Sequence, residues 1–328
     1  MDKIIGIGNA LTDILAVLKS DALFDELNIP KGSTQFIERN QVPDVEKLFS
    51  TMTTKQVPGG SSANTIRSLA QVGVETGYIG KVGHDKTGEF YIQNMKAVGI
   101  NTRFSYSDLP SGIASTLISP DGERTFIDYL GAAATLKSED ITSEALKGYS
   151  YLYIEGYLIQ DHDMITHAMR LAKERGMKVC LDMANFNIVA GDLDFFRELI
   201  HNYVDIVFAN EQEAMAYSSS SIEDALEELG RECEIAIVKV GSKGSNILRG
   251  HERVTVDVVK VDDVIDTNGA GDYYAAGFMF GLLSGCSLAK CGKLGSLFSS
   301  EVIRVIGTAL SDEQWDDVRK RAQAIIAE

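Results

Sequence analysis

The residues best suited to chemistry in this chain lie at one turn, Asp266-Thr267-Asn268-Gly269-Ala270-Gly271-Asp272, just before a long run without charge. Gly269, Ala270 and Gly271 are small, so a ligand oxygen can reach their backbone. They stand where a helix is expected to begin. There the N–H groups lack intrahelical partners and, with the helix dipole, favour an anion. A phosphoryl group in transfer is such an anion. Asp272, in the first turn, is placed to act as a base toward an attacking hydroxyl. Without a ligand, the same residues would be a glycine-rich turn whose aspartate caps a helix. Two acidic residues bracketing small ones make a richer pattern than capping requires. A second stretch, Pro58-Gly59-Gly60-Ser61-Ser62-Ala63-Asn64, also precedes a helix. Gly59 and Gly60 let a sugar ring lie against backbone, and the Asn64 amide both donates and accepts toward ring hydroxyls.

These groups need a scaffold. At 328 residues, and with domains of roughly 100–200 residues, the chain is one large domain, alone or with a small one. Residues 3–8 read as a buried strand, and 13–17 and 33–37 as strands of a smaller sheet. A helix is expected over 61–72, a strand over 76–82 and a helix over 87–98, ended by Gly99. Residues 114–119 and 123–129 flank Pro120-Asp121-Gly122, a tight-turn sequence that predicts a hairpin. Strands over 151–155, 178–182, 205–209 and 235–240 then alternate with helices over 163–175, 194–203, 211–217 and 222–229, with a polar break at Ser218–Ser221. A hairpin (245–248 with 254–260) and helices over 271–283, 287–305 and 312–327 complete the chain. The expected fold class is α/β: a doubly wound, mostly parallel sheet with helices on both faces, plus a small β-sheet lid over the strands' C-terminal ends, where such sheets bind ligands. The body is expected over 1–12, 38–100 and 131–328, and the lid over 13–37 and 101–130.

The Asp266–Asp272 turn, continued by Tyr273-Tyr274-Ala275-Ala276-Gly277-Phe278-Met279, resembles the C-terminal signature of the ribokinase-like (PfkB) carbohydrate and nucleoside kinases. The resemblance runs from Lys3 to Gly307, and residues 300–307 match the partner loop of that signature. Gly8-Asn9-Ala10-Leu11-Thr12-Asp13 and residues 59–71 look closest to the adenosine kinase branch. The resemblance implies a phosphotransferase that moves the γ-phosphoryl group of ATP to a primary hydroxyl. Asp272 would take the proton, and the N–H groups of Gly269, Ala270 and Gly271 would form an anion hole. Asp13, beside Asn9, stands in the place that accepts hydrogen bonds from a vicinal diol, work for which a carboxylate is well suited. Asp266 resembles the residue beside a monovalent-cation site, which implies K+. Asn210-Glu211-Gln212-Glu213 matches an Asn-x-x-Glu motif in which Glu213 organises Mg2+ through water. Lys239-Val240-Gly241-Ser242-Lys243-Gly244-Ser245 is similar to the family's nucleotide loop. It implies that Gly241 and Gly244 flank ATP, with Lys239, Asn210 and Asn268 at the same site.

The acceptor is less determined. Tyr157 and Phe186 fall near the segments where adenosine kinases stack the purine. Yet Leu158 stands where a second aromatic is frequent, Glu155 where a small residue is common, and Ser62 departs from the usual small residue. A ribonucleoside and a sugar (ribose, fructose or a keto-deoxy sugar acid) both stay open as small-molecule acceptors. Arg103 and Arg124, the candidates for holding an acid, read as solvated lid arginines.

Composition excludes other classes. Lys plus Arg total 31 against 47 Asp plus Glu, a net charge of −16, whereas nucleic acid or an anionic membrane needs a basic footprint. The longest charge-free apolar run, 273–289, contains three glycines and is shorter than the ~20 residues of a membrane span. Cys180, Cys233, Cys286 and Cys291 form no CxxC pair, and the first residues lack the pattern of a signal peptide. A cytoplasmic protein is expected. No HExxH or GxSxG occurs. Gly6-Ile7-Gly8 hints at a nicotinamide oxidoreductase, but Leu11 occupies the third glycine position. A binding protein that kept the fold and lost catalysis is a further alternative, against which the intact turn counts. Monomer and homodimer are equally open.

Overall fold

Ile4-Ile5-Gly6-Ile7 has no polar residue, and such a run suits a strand covered on both faces. A computed structural model describes residues 2–218 and 221–328; Met1 and the two middle residues of the Ser218–Ser221 break lie outside the described residues. In it this run is a central strand. The strands are β1 (Ile4–Ile7), β2 (Leu11–Val17), β3 (Thr34–Phe36), β4 (Thr54–Pro58), β5 (Thr76–Gly83), β6 (Asn101–Ser107), β7 (Gly112–Ile118), β8 (Arg124–Tyr129), β9 (Tyr151–Glu155), β10 (Lys178–Asp182), β11 (Ile206–Asn210), β12 (Ile235–Lys239), β13 (Ser245–Arg249) and β14 (Glu252–Val256). Nine form one sheet in the order β14-β13-β12-β11-β10-β9-β1-β5-β6, parallel except for β13 and β14.

Successive strand residues point to opposite faces, and two cores result. Ile4, Tyr78, Tyr153, Cys180 and Phe208 pack on one face, beneath helices Ser61–Gln71, Ala270–Leu283 and Leu288–Val302. Ile5, Ile79, Leu152, Leu181 and Val207 pack on the other, beneath helices His162–Glu174, Leu193–Tyr203 and Ile222–Glu232. Helix Ala270–Leu283 carries no charge after Asp272 and is buried almost all round, as a helix without a polar face must be. A Cβ on its Gly277 would lie 2.2 Å from the Leu294 carbonyl oxygen, so the glycine is what lets the next helix approach.

The strand order reverses between β1 and β9, where Ile7 pairs with Ile154. The loop after β1 and the end of β9 therefore leave the sheet side by side at its switch point. Over these ends lies a five-stranded sheet, β3-β8-β7-β2-β4. Its outer face is covered by two short helices, Ala22–Leu27 and Val42–Phe49, around Phe24, Phe49, Leu117 and Ile127.

Two strands sit in the other sheet from the one their residue ranges predict. Residues 54–58, within a range assigned to the body, pair with β2 in the small sheet. Residues 101–107, within a range assigned to the lid, pair with β5 as the edge of the large one. An edge strand half-open to water alternates polar and apolar residues just as a lid strand does, and Asn101–Ser107 does so. Among the described residues, no helix is long and apolar enough to cross a membrane.

Candidate active site

Between the small sheet and the C-terminal ends of the parallel strands is a cavity of ≈ 1110 Å³. Neighbouring strands each bring one polar residue to it: Asn9 after β1, Glu155 from β9, Asp182 from β10, Asn210 from β11 and Lys239 from β12. The Gly269–Asp272 turn closes one end, and lid residues including Phe36, Phe126 and Asp128 form the roof.

Gly269 caps helix Ala270–Leu283 in the left-handed region, at φ 75°, a conformation glycine adopts without steric cost. Among the described residues the amides of Gly269 and Gly271 have no backbone partner, and that of Ala270 has only a 3.3 Å bond to the Thr267 carbonyl. These are the free donors that the turn predicts. Asp272 sits beside them. Its Oδ1 accepts from Ser61 Oγ at 2.7 Å and its Oδ2 from Asn64 Nδ2 at 2.9 Å. Burial pushes the Asp272 carboxyl up to about 7, against the lowering effect of those two bonds. Lys239 Nζ lies 3.1 Å from where a Gly271 Cβ would stand, so the glycine lets the ammonium sit against the turn without displacement. Lys239 pairs with Asp182 at 3.0 Å. Burial works against its charge, but Asp182 and Glu213 outweigh it and hold the ammonium above the usual lysine range.

At the other end, Asp13 lines the cavity and is 8% exposed. Burial raises its carboxyl to about 7, although Arg124 and Arg67 pull it down. The two glycines before helix Ser61–Gln71 serve close approach. A Cβ on Gly59 would lie 2.0 Å from Asp13 Oδ1, and one on Gly60, at φ 91°, 2.3 Å from the Asn9 carbonyl. Tyr91 Oη donates to the Gly59 carbonyl at 3.0 Å and holds this turn from below. Glu155, 1% exposed, has a place the residue comparison did not anticipate. Its Oε1 accepts from the backbone N–H (2.8 Å) and Nδ2 (2.9 Å) of Asn9, and its Oε2 from the Ser62 N–H (2.8 Å). It ties the loop after β1 to the start of the helix that carries Ser61 and Asn64.

Other expected residues are placed as follows. Glu213 and Asn210 bond reciprocally: both Glu213 oxygens accept from Asn210 (2.8 and 2.6 Å) while Asn210 Oδ1 accepts from the Glu213 N–H (2.9 Å). Burial raises the Glu213 carboxyl to about 7. A carboxylate has about four lone-pair sites, so Glu213 keeps acceptor capacity toward the cavity it lines. Asn268 and Tyr157 also line it, whereas Phe186 does not. Phe186 begins the short helix Phe186–Gly191 and is 40% exposed, and its neighbours Asn185 and Asn187 reach the cavity instead. Gly241 and Gly244 are outside the lining too. They shape the turn between β12 and β13, where Gly244 has φ 93° and a Cβ would lie 1.9 Å from the Val256 carbonyl.

Asp266 is 5% exposed and outside the cavity wall. It accepts from the amides of Asn268 (3.0 Å) and Gly307 (2.8 Å) and pairs with the Arg124 guanidinium. Arg124, expected in solvent, is 8% exposed. The place beside Asp266 expected for K+ thus has a guanidinium against it. Arg103 is exposed, as expected. Sequence reasoning gave no role to Ser61 or Asp182, and it left Arg124 in solvent rather than against Asp266. A carboxylate at the end of a parallel strand was the available signal for Asp182.

With this geometry in view, three comparisons are informative. The sequence pattern described as pfkB family carbohydrate kinase matches residues 32–315. The crystal structure of adenosine kinase from Sinorhizobium meliloti superposes with a TM-score of 0.88 at 35% identity, covering 98% of this chain and 99% of that one. Adenosine kinase 2 of Arabidopsis thaliana is 25% identical over 337 residues, 93% of this chain and 94% of its own. The 5-dehydro-2-deoxygluconokinase of Geobacillus thermodenitrificans is 26% identical over 273 residues, 78% and 81% of the two chains.

Proposed function

The chain belongs to the pfkB family of carbohydrate kinases, phosphotransferases that act on hydroxyl groups, and from that premise we propose that it moves the γ-phosphoryl group of ATP to a primary hydroxyl of an adenosine-like ribonucleoside. The observation that carries this reading is one juxtaposition. Asp272, anchored by Ser61 and Asn64, adjoins the free amides of Gly269 and Gly271 and the ammonium of Lys239. In this reading Asp272 accepts the hydroxyl proton, and the amides and Lys239 stabilise charge on the transferred group, work that positioning and electrostatics largely accomplish. Asp13 and Asn9 hold the acceptor's hydroxyls, and the small sheet closes over it to exclude water. Mg2+, when bound with ATP, supplies charge neutralisation on the phosphates. Glu213, buried and with lone pairs to spare, would hold it through water.

The likeness to adenosine kinases over nearly the whole chain supports a nucleoside acceptor. A sugar is the second reading, supported by the gluconokinase likeness. A coupled ADP-release screen over adenosine, other nucleosides, ribose, fructose and gluconate separates them. The nucleoside reading expects adenosine or a close analogue to give the highest kcat/KM, and a higher value for any sugar overturns it.

The base also predicts a pH profile. Asp272 acts only as the carboxylate, and its carboxyl lies at about 7 rather than 3.8. Below that value kcat/KM should fall at least about tenfold per pH unit, with Asp13, whose carboxyl also lies at about 7, steepening the fall, and above it the profile should flatten. An acid limb near the ordinary carboxylate value would remove Asp272 from the role.

A further inference from the structure

The register of the small sheet places a second carboxylate over the acceptor. Asp13 on β2 faces Ala114 on β7, Ala114 faces Asp128 on β8, and Asp128 faces Phe36 on β3. Directly paired residues point to the same side of a sheet, and all four line the cavity. Asp13 and Asp128 thus stand two strand spacings apart, ~10 Å at the backbone, with only the Ala114 methyl between them. Asp128 Oδ1 is buried and has no hydrogen-bond partner. Asp13, nine-tenths buried where Asp128 is partly buried, has a carboxylate that no described group donates to. A buried acceptor left unpaired is costly, so native structures seldom keep one without a partner to come. The cavity's two lysines are already engaged, Lys137 with Asp161 and Lys239 with Asp182. Among the described lining residues no free cation is left for an anionic acceptor.

We propose that Asp128 determines which acceptor is taken: it accepts a hydrogen bond from an N–H at the end of the acceptor remote from the hydroxyls that Asp13 holds, and its charge turns away acceptors bearing a carboxylate. The inference rests on the kinase reading above and narrows its acceptor to a neutral molecule with a donor about 10 Å from its diol, as in a nucleoside with an amino-substituted base. Phe36, paired with Asp128, 67% exposed and part of the cavity lining, offers a flat apolar face to such a base.

The test is steady-state kinetics of the full chain and its Asp128→Ala and Asp128→Asn variants. The acceptors are adenosine, purine riboside (adenosine without its exocyclic amine), ribose and gluconate. Asp128→Ala should lower kcat/KM for adenosine ~10–100-fold, mainly through KM, while purine riboside and the KM for ATP stay within about threefold. A merely structural role would lower adenosine and purine riboside alike, and that outcome overturns the proposal. Burial, and then the nearby Asp13, raise the Asp128 carboxyl to about 7, so the assays are run at about pH 8. There Asp128→Asn keeps the shape and removes the charge, and discrimination against gluconate should weaken in it even if the alanine variant does not fold. A wild-type enzyme that prefers gluconate overturns the proposal and leaves the kinase reading intact. A wild-type enzyme that takes ribose and not adenosine overturns the nucleoside reading and with it the N–H contact proposed for Asp128, leaving only the exclusion of carboxylates to test. Asp128 is then judged on ribose against gluconate: weakened discrimination in Asp128→Asn upholds its role, and unchanged discrimination ends it.

Discussion

Asp272→Asn is expected to turn over ~10²–10⁴ times more slowly than the wild type, with the KM for ATP changed by less than about threefold. The substitution is close to isosteric. The new amide oxygen can still accept from Ser61 Oγ, and Asn64, whose Oδ1 is buried without a partner, can turn its amide to accept from the new Nδ2. Basicity is then all that is lost. What survives comes from the turn's amides and from Lys239, which this change does not touch. Single-turnover and steady-state ADP release, with a melting curve to show an intact fold, measure it. Turnover near the wild-type rate would mean that another group accepts the proton.

Asp13→Asn should melt higher than the wild type and bind its acceptor more weakly. The sign follows from burial, which raises the Asp13 carboxyl from 3.8 in the unfolded chain to about 7 in the folded one. Between those values the unfolded chain ionises first, so stability is lost as pH rises through the window and stays lost above it. About three pKa units at 1.36 kcal/mol each make the loss on the order of 4 kcal/mol. Asparagine has no charge to desolvate, so the variant should gain several degrees in Tm at about pH 8 and little at about pH 4. The cost falls on function. A hydrogen bond to a charged group contributes ~1.5–3 kcal/mol, so the acceptor's KM should rise ~10–100-fold with a smaller change in kcat. An unchanged KM would take Asp13 out of the pocket, and an unchanged Tm would mean that its carboxylate is better compensated than Arg124 and Arg67 make it. Gain of stability on loss of a binding group is what a site held in readiness for a ligand predicts.

Local pattern alone was enough for the parallel strands, the helices between them and the anion-binding turn. Each depends on neighbours a few residues apart: the unbroken apolar run of Ile4–Ile7, the uncharged stretch after Asp272, and glycines where φ is positive, as at Gly60 and Gly269. Such signals are written in consecutive residues, because burial on both faces or a helix start constrains types at fixed short spacing. Tertiary structure decided what lies opposite what. Arg124 meets Asp266 across 142 positions, and Glu155 meets Asn9 across 146. The row of Asp13, Ala114 and Asp128 exists only because three strands pair in one register. Phe186 reads like a stacking residue in one dimension and sits outside the cavity in three, at the start of a short helix whose Asn187 and Ile188 line it instead. Residues 54–58 and 101–107 each join the sheet of the other range, as edge strands: Asn101–Ser107 alternates as an edge of either sheet would, whereas Thr54–Pro58 shows no alternation and is placed by its pairing with β2. Periodicity specifies which face of an element is covered, and the partner that covers it is chosen by packing over the whole chain.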